Sequence, residues 1–301
     1  MNTEDRSELE TAPGPPAGRS TSQHGLASLD KYEPLRILGR GGHSVVHEAR
    51  QKELDRLVAV KINTHTDATS AKRMLVEAKL LARIDHPGVV DVYELGQTST
   101  GAPFLVMERL IGKTLKEALD EEGPFSEKAI VGLGDQILSA LAAVHDEGLV
   151  HRDIKPANVM RLEADRTGLR PLKLIDFGIG YDMEGQGERL TGPADLLGTP
   201  AYLAPEQLSP HVPSDERTDL YGVGITLYEL LTGRLPFDRT GTRLLEQVLF
   251  AAPPAASVAR PELRPVLDRF LQRAMAKAPG ERFTNARQMR AALLAIPIPL
   301  R

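Results

Sequence analysis

No cysteine occurs in the 301 residues, so neither a disulfide framework nor a thiolate zinc site is available, and a reducing compartment suits the chain. No apolar run approaches the ~20 consecutive residues that a membrane helix needs. The first residues, from Met1 to Glu10, are acidic and polar where a secretory leader would be basic and then apolar. No block of Lys and Arg stands out either. The 37 basic and 41 acidic residues leave a formal net charge of -4 and a pI of about 6.1, without the clustered cations on which nucleic-acid binding rests. These absences lead us to expect a cytoplasmic protein with no membrane segment and no nucleic-acid partner. The remainder, 41% hydrophobic and 26% charged, is the composition of a soluble globular chain long enough for one large domain or two lobes. Collagen, coiled coil and complete disorder are excluded.

Against that plain background one stretch is rich in chemistry. Residues His151-Arg152-Asp153-Ile154-Lys155-Pro156-Ala157-Asn158 are followed, 23 positions after Asp153, by Asp176-Phe177-Gly178. Moving a phosphoryl group from a metal-bound nucleotide to a hydroxyl spreads charge over phosphate oxygens in a loose transition state, so a protein mainly positions and neutralises. The residue types suit that task. Asp153 can take the hydroxyl proton and aim the nucleophile, Lys155 can neutralise the transferring group, and Asn158 and Asp176 present the oxygen ligands that Mg²⁺ prefers. Arg152 is too basic to move a proton. A His-Arg-Asp triplet or an Asp-Phe-Gly turn by itself is most often a surface loop. The ordered pair fixes nine identities at set offsets, which accident does not supply.

Around this centre the chain changes character several times. Residues 1 to about 30 join Pro13, Gly14, Pro15, Pro16 and Gly18 to a Ser/Thr-rich run through Ser22, with few large apolar side chains to offset the entropy of ordering, and are expected to form a disordered arm. Two β-type runs follow at 35–38 and 57–62, joined through Gly39, Gly41 and Gly42 as a hairpin lid whose N–H groups can approach phosphates. Alone, such glycines equally make a flexible turn. Lys61 closes a Val-Ala-Val-Lys run, an expensive place for a cation that meets no anion. Its expected partner is Glu77, beside the helical stripe of Met74, Leu75, Ala78, Leu81 and Ala82.

Strands are expected at 89–95 and 104–108. Residues 108–112 then connect the sheet-rich part to a helical remainder, with backbone groups of Glu108 and Leu110 able to pair with an adenine edge. Ser126 is the N-cap of a long helix with Ile130, Leu133, Ile137, Leu138, Leu141 and Val144 on one stripe. The strand 172–175 delivers Asp176, residues 179–203 make a glycine-containing mobile segment, and 219–231 is a buried helix. Further helices are predicted at about 243–250, 264–277 and 284–295.

Taken together, these residues resemble the eukaryotic-type (Hanks-type) protein kinase family, and within it the bacterial serine/threonine protein kinases. The resemblance covers about residues 32 to 285. It rests on Gly39, Gly41, Ser44 and Val46, the Val58-Ala59-Val60-Lys61 run, Glu77, the segment from His151 to Asn158, Asp176-Phe177-Gly178, Ala204-Pro205-Glu206, Asp219 and Arg282. It implies an α+β, bilobal protein-kinase-like fold: a small antiparallel sheet lobe with one helix over 31–108, and a larger, mostly helical lobe over 109–295. The arm 1–30 and a tail 296–301 flank this domain. ATP and Mg²⁺ are implied as cofactors and protein substrates as acceptors through Ser/Thr, with a transient homodimer for trans-autophosphorylation.

Carried over residue by residue, the resemblance implies that Leu38, Gly39, Gly41, Gly42, Val46 and Ala59 surround ATP. Lys61 binds its α- and β-phosphates, Glu77 holds Lys61, and Met107 guards the back of the adenine pocket beside Glu108 and Leu110. Asp153 becomes the base, Lys155 sits on the γ-phosphate, and Asn158 and Asp176 hold Mg²⁺. Arg282 is implied as a structural partner of Glu206. The Lys-Pro after Asp153 and Gly198-Thr199-Pro200 ahead of Ala204 follow the Ser/Thr rather than the Tyr pattern.

Two departures stand out. Ser44 replaces the third glycine of the lid, and Arg109 replaces an aromatic residue in the connection, where it is expected to face solvent. Thr191, 15 residues after Asp176 and 15 before Glu206, is expected to be autophosphorylated and to pair with Arg152. Thr199 is expected to be a fixed hydrogen-bonding element beside Asp153 and Lys155. His43 and His47 are expected to be exposed polar residues, not a metal pair. Two other classes compete at this point: a pseudokinase, which would lack Lys61, Asp153 or Asp176, and a small-molecule kinase, which would lack Ala204-Pro205-Glu206 and its Arg partner.

Overall fold

The computed structural model describes residues 29–41, 44–63, 75–76, 78–164, 170–177, 200–209, 212–237 and 241–297. Period-two alternation decides how the first lobe is built. Strands β1 (Tyr32–Arg40), β2 (Ser44–Gln51), β3 (Arg56–Asn63), β4 (Val92–Gln97) and β5 (Pro103–Glu108) form one antiparallel sheet in the order β1-β2-β3-β5-β4. On β3 and β5 the residues Val58, Val60, Ile62, Phe104 and Val106 close a small core with Leu29, Tyr32, Ala49 and Ala102. The intervening residues point to the opposite face. Three of them, Ala59, Leu105 and Met107, join the main core. Lys61 lies on that same face, which is how a lysine in an apolar strand comes to look into the cleft between the lobes.

Three sequence expectations shift here. The glycine-rich stretch joins β1 to β2, and the run 57–62 follows as part of β3 instead of forming the second arm of that hairpin. Around the helical residues 78–81, Ala78 and Leu81 are buried but Leu75 and Ala82 are exposed, so the inward stripe is narrower than predicted. Residues 89–91 do not extend β4. Val89 instead forms a parallel bridge with Leu174, because Val90 N donates to Leu174 O at 3.2 Å and Leu174 N donates to Gly88 O at 2.8 Å. A short apolar run thus leaves its sheet to join the two lobes.

The second lobe carries helices α1 (Leu115–Glu122), α2 (Glu127–Asp146), α3 (Glu216–Thr232), α4 (Gly241–Phe250), α5 (Ala256–Ala259), α6 (Pro265–Ala274) and α7 (Ala286–Leu294). It also carries a small antiparallel sheet, β6 (Gly112–Thr114), β7 (Val159–Leu162) and β8 (Leu172–Leu174). Helix α1 starts at a capping box: Glu117 N donates to Thr114 Oγ1 at 3.1 Å while Thr114 N donates to Glu117 Oε2 at 2.7 Å. Ser126 caps α2 as predicted, accepting from Ala129 N at 3.2 Å, and all six residues of the predicted stripe are buried.

Helix α3 is buried almost end to end, the behaviour of a helix apolar on all sides. Asp215 caps its start and Gly233, at φ +75°, closes it in the left-handed conformation. A Cβ on Gly222 would stand 3.0 Å from Ile154 Cβ and 3.1 Å from Ile154 O, so the α3 backbone presses directly on the loop 151–158.

One ion pair anchors this lobe. Arg282 Nη1 and Nη2 reach Glu206 Oε1 and Oε2 at 2.6 and 2.7 Å, and both side chains are almost wholly buried. The other guanidinium hydrogens go to the carbonyls of Ala276, Arg217 and Lys277 at 2.8, 2.9 and 3.0 Å. Thr218 Oγ1 donates to Glu206 at 2.9 Å. All five Arg donors are used, the condition under which a buried charge pair is tolerated.

Candidate active site

The loop between α2 and β7 holds its shape against a backbone penalty. Arg152 sits at φ +66°, a left-handed conformation that costs a non-glycine residue about 1–3 kcal/mol. The compensation comes from Asp219 in the first turn of α3. Its unexposed carboxylate accepts from His151 N at 2.8 Å and Arg152 N at 2.7 Å, and meets His145 Nε2 at 2.8 Å. From the other side Gln207 Nε2 donates to Arg152 O at 2.9 Å, while Gln207 Oε1 accepts from Ala204 N at 2.9 Å. The segment from Ala204 to Gln207 is thereby fastened to the loop.

Held this way, Asp153 meets two predicted neighbours. Lys155 Nζ lies 2.9 and 2.7 Å from its two carboxylate oxygens, and Asn158 Nδ2 donates to Asp153 Oδ2 at 2.8 Å and to Asp153 O at 2.9 Å. Ile175 N donates to Asn158 O at 3.0 Å, which sets Asp176 next to this group. Asp176 itself adopts φ +53° and receives Lys61 Nζ on Oδ1 at 3.0 Å. Two left-handed non-glycine residues therefore flank this group, one on each segment. Strain of this kind persists only where the surroundings over-determine it.

His151 joins the two segments from below. It is fully buried, its ring lies 4.4 Å from that of Phe177, and its Nε2 lies 3.1 Å from Ile175 O. Burial pushes its pKa below the ordinary 6.5, against the pull of Asp219 and Asp153. A neutral ring then donates through Nε2 to the carbonyl and accepts through Nδ1 from Asp153 N at 3.4 Å. The ring thus links the backbone at Asp153 to the carbonyl of Ile175.

Of the remaining predicted residues, Leu38, Val46, Ala59 and Met107 all pack into or against the main core below the first sheet. Gly39 and Gly41 are described at the β1 end, and Leu110 is buried in the connection. Gly42, Glu77, Thr191 and Thr199 lie outside the described residues. The expected Lys61–Glu77 pair is among these, and the described partner of Lys61 is Asp176.

Two expectations are corrected. Arg109 does not face solvent: its Nε donates to Glu48 Oε1 at 2.5 Å, and Arg36 Nε occupies Glu48 Oε2 at 2.6 Å. The bonds from Arg36 and Arg109 hold the Glu48 carboxyl below its usual range. His47 is buried, not exposed. It sits opposite Val60 and on the same face of β2 as Ala49, and burial, helped by Arg40, lowers its pKa. Sequence reasoning also gave no role to Gln207, Glu48 or Lys173. Only the alternation of β2 carried a usable signal, for His47.

The protein kinase domain family matches residues 32–293 of the chain. The serine/threonine-protein kinase pkn3 of Myxococcus xanthus is 37% identical over 274 residues, which is 88% of this chain and 50% of that protein. The serine/threonine-protein kinase PknB of Mycolicibacterium smegmatis is 35% identical over 284 residues, 92% of this chain and 44% of that protein. The chain thus spans about half the length, or less, of these curated relatives. A crystal structure of Rad53 1-466 in complex with AMP-PNP superposes with a TM-score of 0.71 at 23% identity, over 87% of this chain and 64% of that one. At that identity the likeness shows the bilobal α+β fold.

Proposed function

The chain belongs to the protein kinase domain family, and from that premise we propose that it is a serine/threonine protein kinase transferring the γ-phosphate of ATP to protein hydroxyls. The observation that carries this reading is one continuous set of contacts, Lys61–Asp176, Ile175–Asn158, Asn158–Asp153 and Asp153–Lys155. It brings the acceptor-facing carboxylate, two cations, an amide and a second carboxylate to one wall of the cleft. We assign the kinase unit to residues 31–295.

Asp153 positions the acceptor hydroxyl and takes its proton. Lys155 neutralises that carboxylate at rest and is the cation within reach of the transferring phosphoryl group. Lys61 is the matching cation for the α- and β-phosphates, and Met107, Glu108 and Leu110 line the adenine end. Mg²⁺ fits the donors present. Asp176 keeps 40% of its side chain exposed, and Asn158 gives its amide hydrogens to Asp153 and has its side-chain oxygen as the ligand atom to offer. Both are hard oxygen ligands. A Mg²⁺ held there would neutralise phosphate charge as it develops.

A phosphate on Thr191, roughly -2 in charge, would pair with Arg152 and tie the segment before Ala204 to the loop that carries Asp153. This reading includes a transient homodimer for that autophosphorylation, and the reducing cytoplasm that suits a chain without cysteine.

Labelled ATP with Mg²⁺ and a generic protein acceptor tests the reading. Transfer by the wild-type chain, label mapped to Thr191, and loss of both in Asp176→Asn are expected. Nucleotide binding without any transfer to itself or an acceptor would contradict it.

A further inference from the structure

The connection between the lobes is pinned from behind by a lysine that neither nucleotide nor acceptor would touch. Lys173 lies in the middle of β8 with only 12% of its side chain exposed. Its ammonium bonds the Glu108 carboxylate at Oε1, donates to Val89 O at 3.0 Å and stands 3.9 Å from Asp91 Oδ2. Glu108 is held twice more: Asp91 N donates to its Oε1 at 2.8 Å, and its own N–H donates to Asp91 O at 3.0 Å. The backbone bonds Leu174 N to Gly88 O and Val90 N to Leu174 O complete the unit. Three segments distant in sequence, the 88–91 turn, the end of β5 and β8, thus meet at one largely buried cation.

The two ends of this unit lead to the two ends of the cleft. Glu108 is two residues from Leu110, at the adenine end. Lys173 is three residues from Asp176, whose φ is +53°. A near-dry lysine sharing its donors between a carboxylate and a carbonyl fixes distance and direction together, because leaving either partner strands a buried polar group.

We propose that Lys173 is a positioning residue: acting through Glu108, it keeps the adenine end of the cleft in register with Asp176, so that one nucleotide engages both. The proposal rests on the kinase reading above. Loss of Lys173 is expected to weaken ATP more than it slows transfer. Both ends still exist, and only their spacing is released.

The test uses the full chain and the variants Lys173→Met, Lys173→Arg and Glu108→Gln. Hydrogen exchange without nucleotide reads the brace itself: the amides of Leu174 and Glu108 should exchange faster in Lys173→Met and recover in Lys173→Arg. Steady-state kinetics read its consequence. KM for ATP should rise about tenfold in Lys173→Met, well under the ~10²-fold that a 1 Å misplacement at the reacting atoms can cost. The turnover of the folded fraction should fall less than about threefold, and Arg should restore most of the loss. Glu108→Gln should act in the same direction, and adding it to Lys173→Met should cost little more, as for residues in one contact. An unchanged KM for ATP, or a tenfold loss confined to kcat, would overturn the proposal. So would unchanged exchange at both amides. A wild-type chain that transfers nothing while its amides respond as described would instead overturn the kinase reading.

Discussion

Two ion pairs divide the labour of this molecule. Arg282 and Glu206 are dry, and every guanidinium hydrogen has an acceptor. Lys61 and Asp176 meet through one bond at 3.0 Å, with 17% and 40% of their side chains exposed. The first pair has no acceptor left for a ligand and nothing to exchange with. The second can trade its partner for a phosphate or a metal at small cost, because water already reaches one side of it. Burial thus separates a pair that holds the lobe together from one left open to exchange, although both read as a carboxylate and a cation in sequence.

Breaking the buried pair should cost the most. Arg282→Met strands Glu206 without water and should lower unfolding free energy by about 3–5 kcal/mol. Urea unfolding reads this directly, and a loss under about 1 kcal/mol would place water at Glu206. Next is the contact between scaffold and loop. Gly222→Ala drives a methyl into Ile154 at 3.0 Å and should cost about 1–3 kcal/mol by overpacking. It should also lower transfer by more than the folded fraction falls, since Ile154 adjoins Asp153.

Acidification sharpens the contrast further. His47, His86 and His151 have pKa values pushed below 6.5 by burial. The folded state therefore binds fewer protons than the unfolded one, and stability falls as pH drops through 6.5 toward the lowered folded values. Each contributes a slope of at most about 1.4 kcal/mol per pH unit. Denaturant unfolding followed downward from about pH 7.5 to about pH 5.5 should show this loss; a rise would contradict it. The smallest stability effect belongs to the cleft pair. Lys61→Met should change unfolding free energy by no more than about 1 kcal/mol, while abolishing measurable transfer.

Much of this was legible before the structure, and the reason is locality. Asp153, Lys155 and Asn158 lie within six consecutive residues, so the sequence already places their side chains together. The α2 stripe and its Ser126 cap follow from periodicity, and the Arg282–Glu206 pair from resemblance. What stayed hidden depends on register between distant strands. Arg109 finds Glu48 only because β2 and β3 pair as they do and β5 ends beside them. Lys173 finds Glu108 only because Val89 leaves its own sheet for Leu174. His47 is the exception. Period-two alternation with Ala49 would have put it on the buried face, and its polarity argued the other way.

The role of Asp153 is tested most directly by transfer in Asp153→Asn, normalised to the folded fraction seen by unfolding in the same preparation. Asn preserves the size of the side chain and its bond from Asn158 but cannot take a proton. Transfer should fall by about 10²–10⁴-fold with the unfolding midpoint close to wild type. Transfer within a factor of two of wild type at full folding would contradict the assignment of Asp153, and with it the reading of the cleft as the site of phosphoryl transfer.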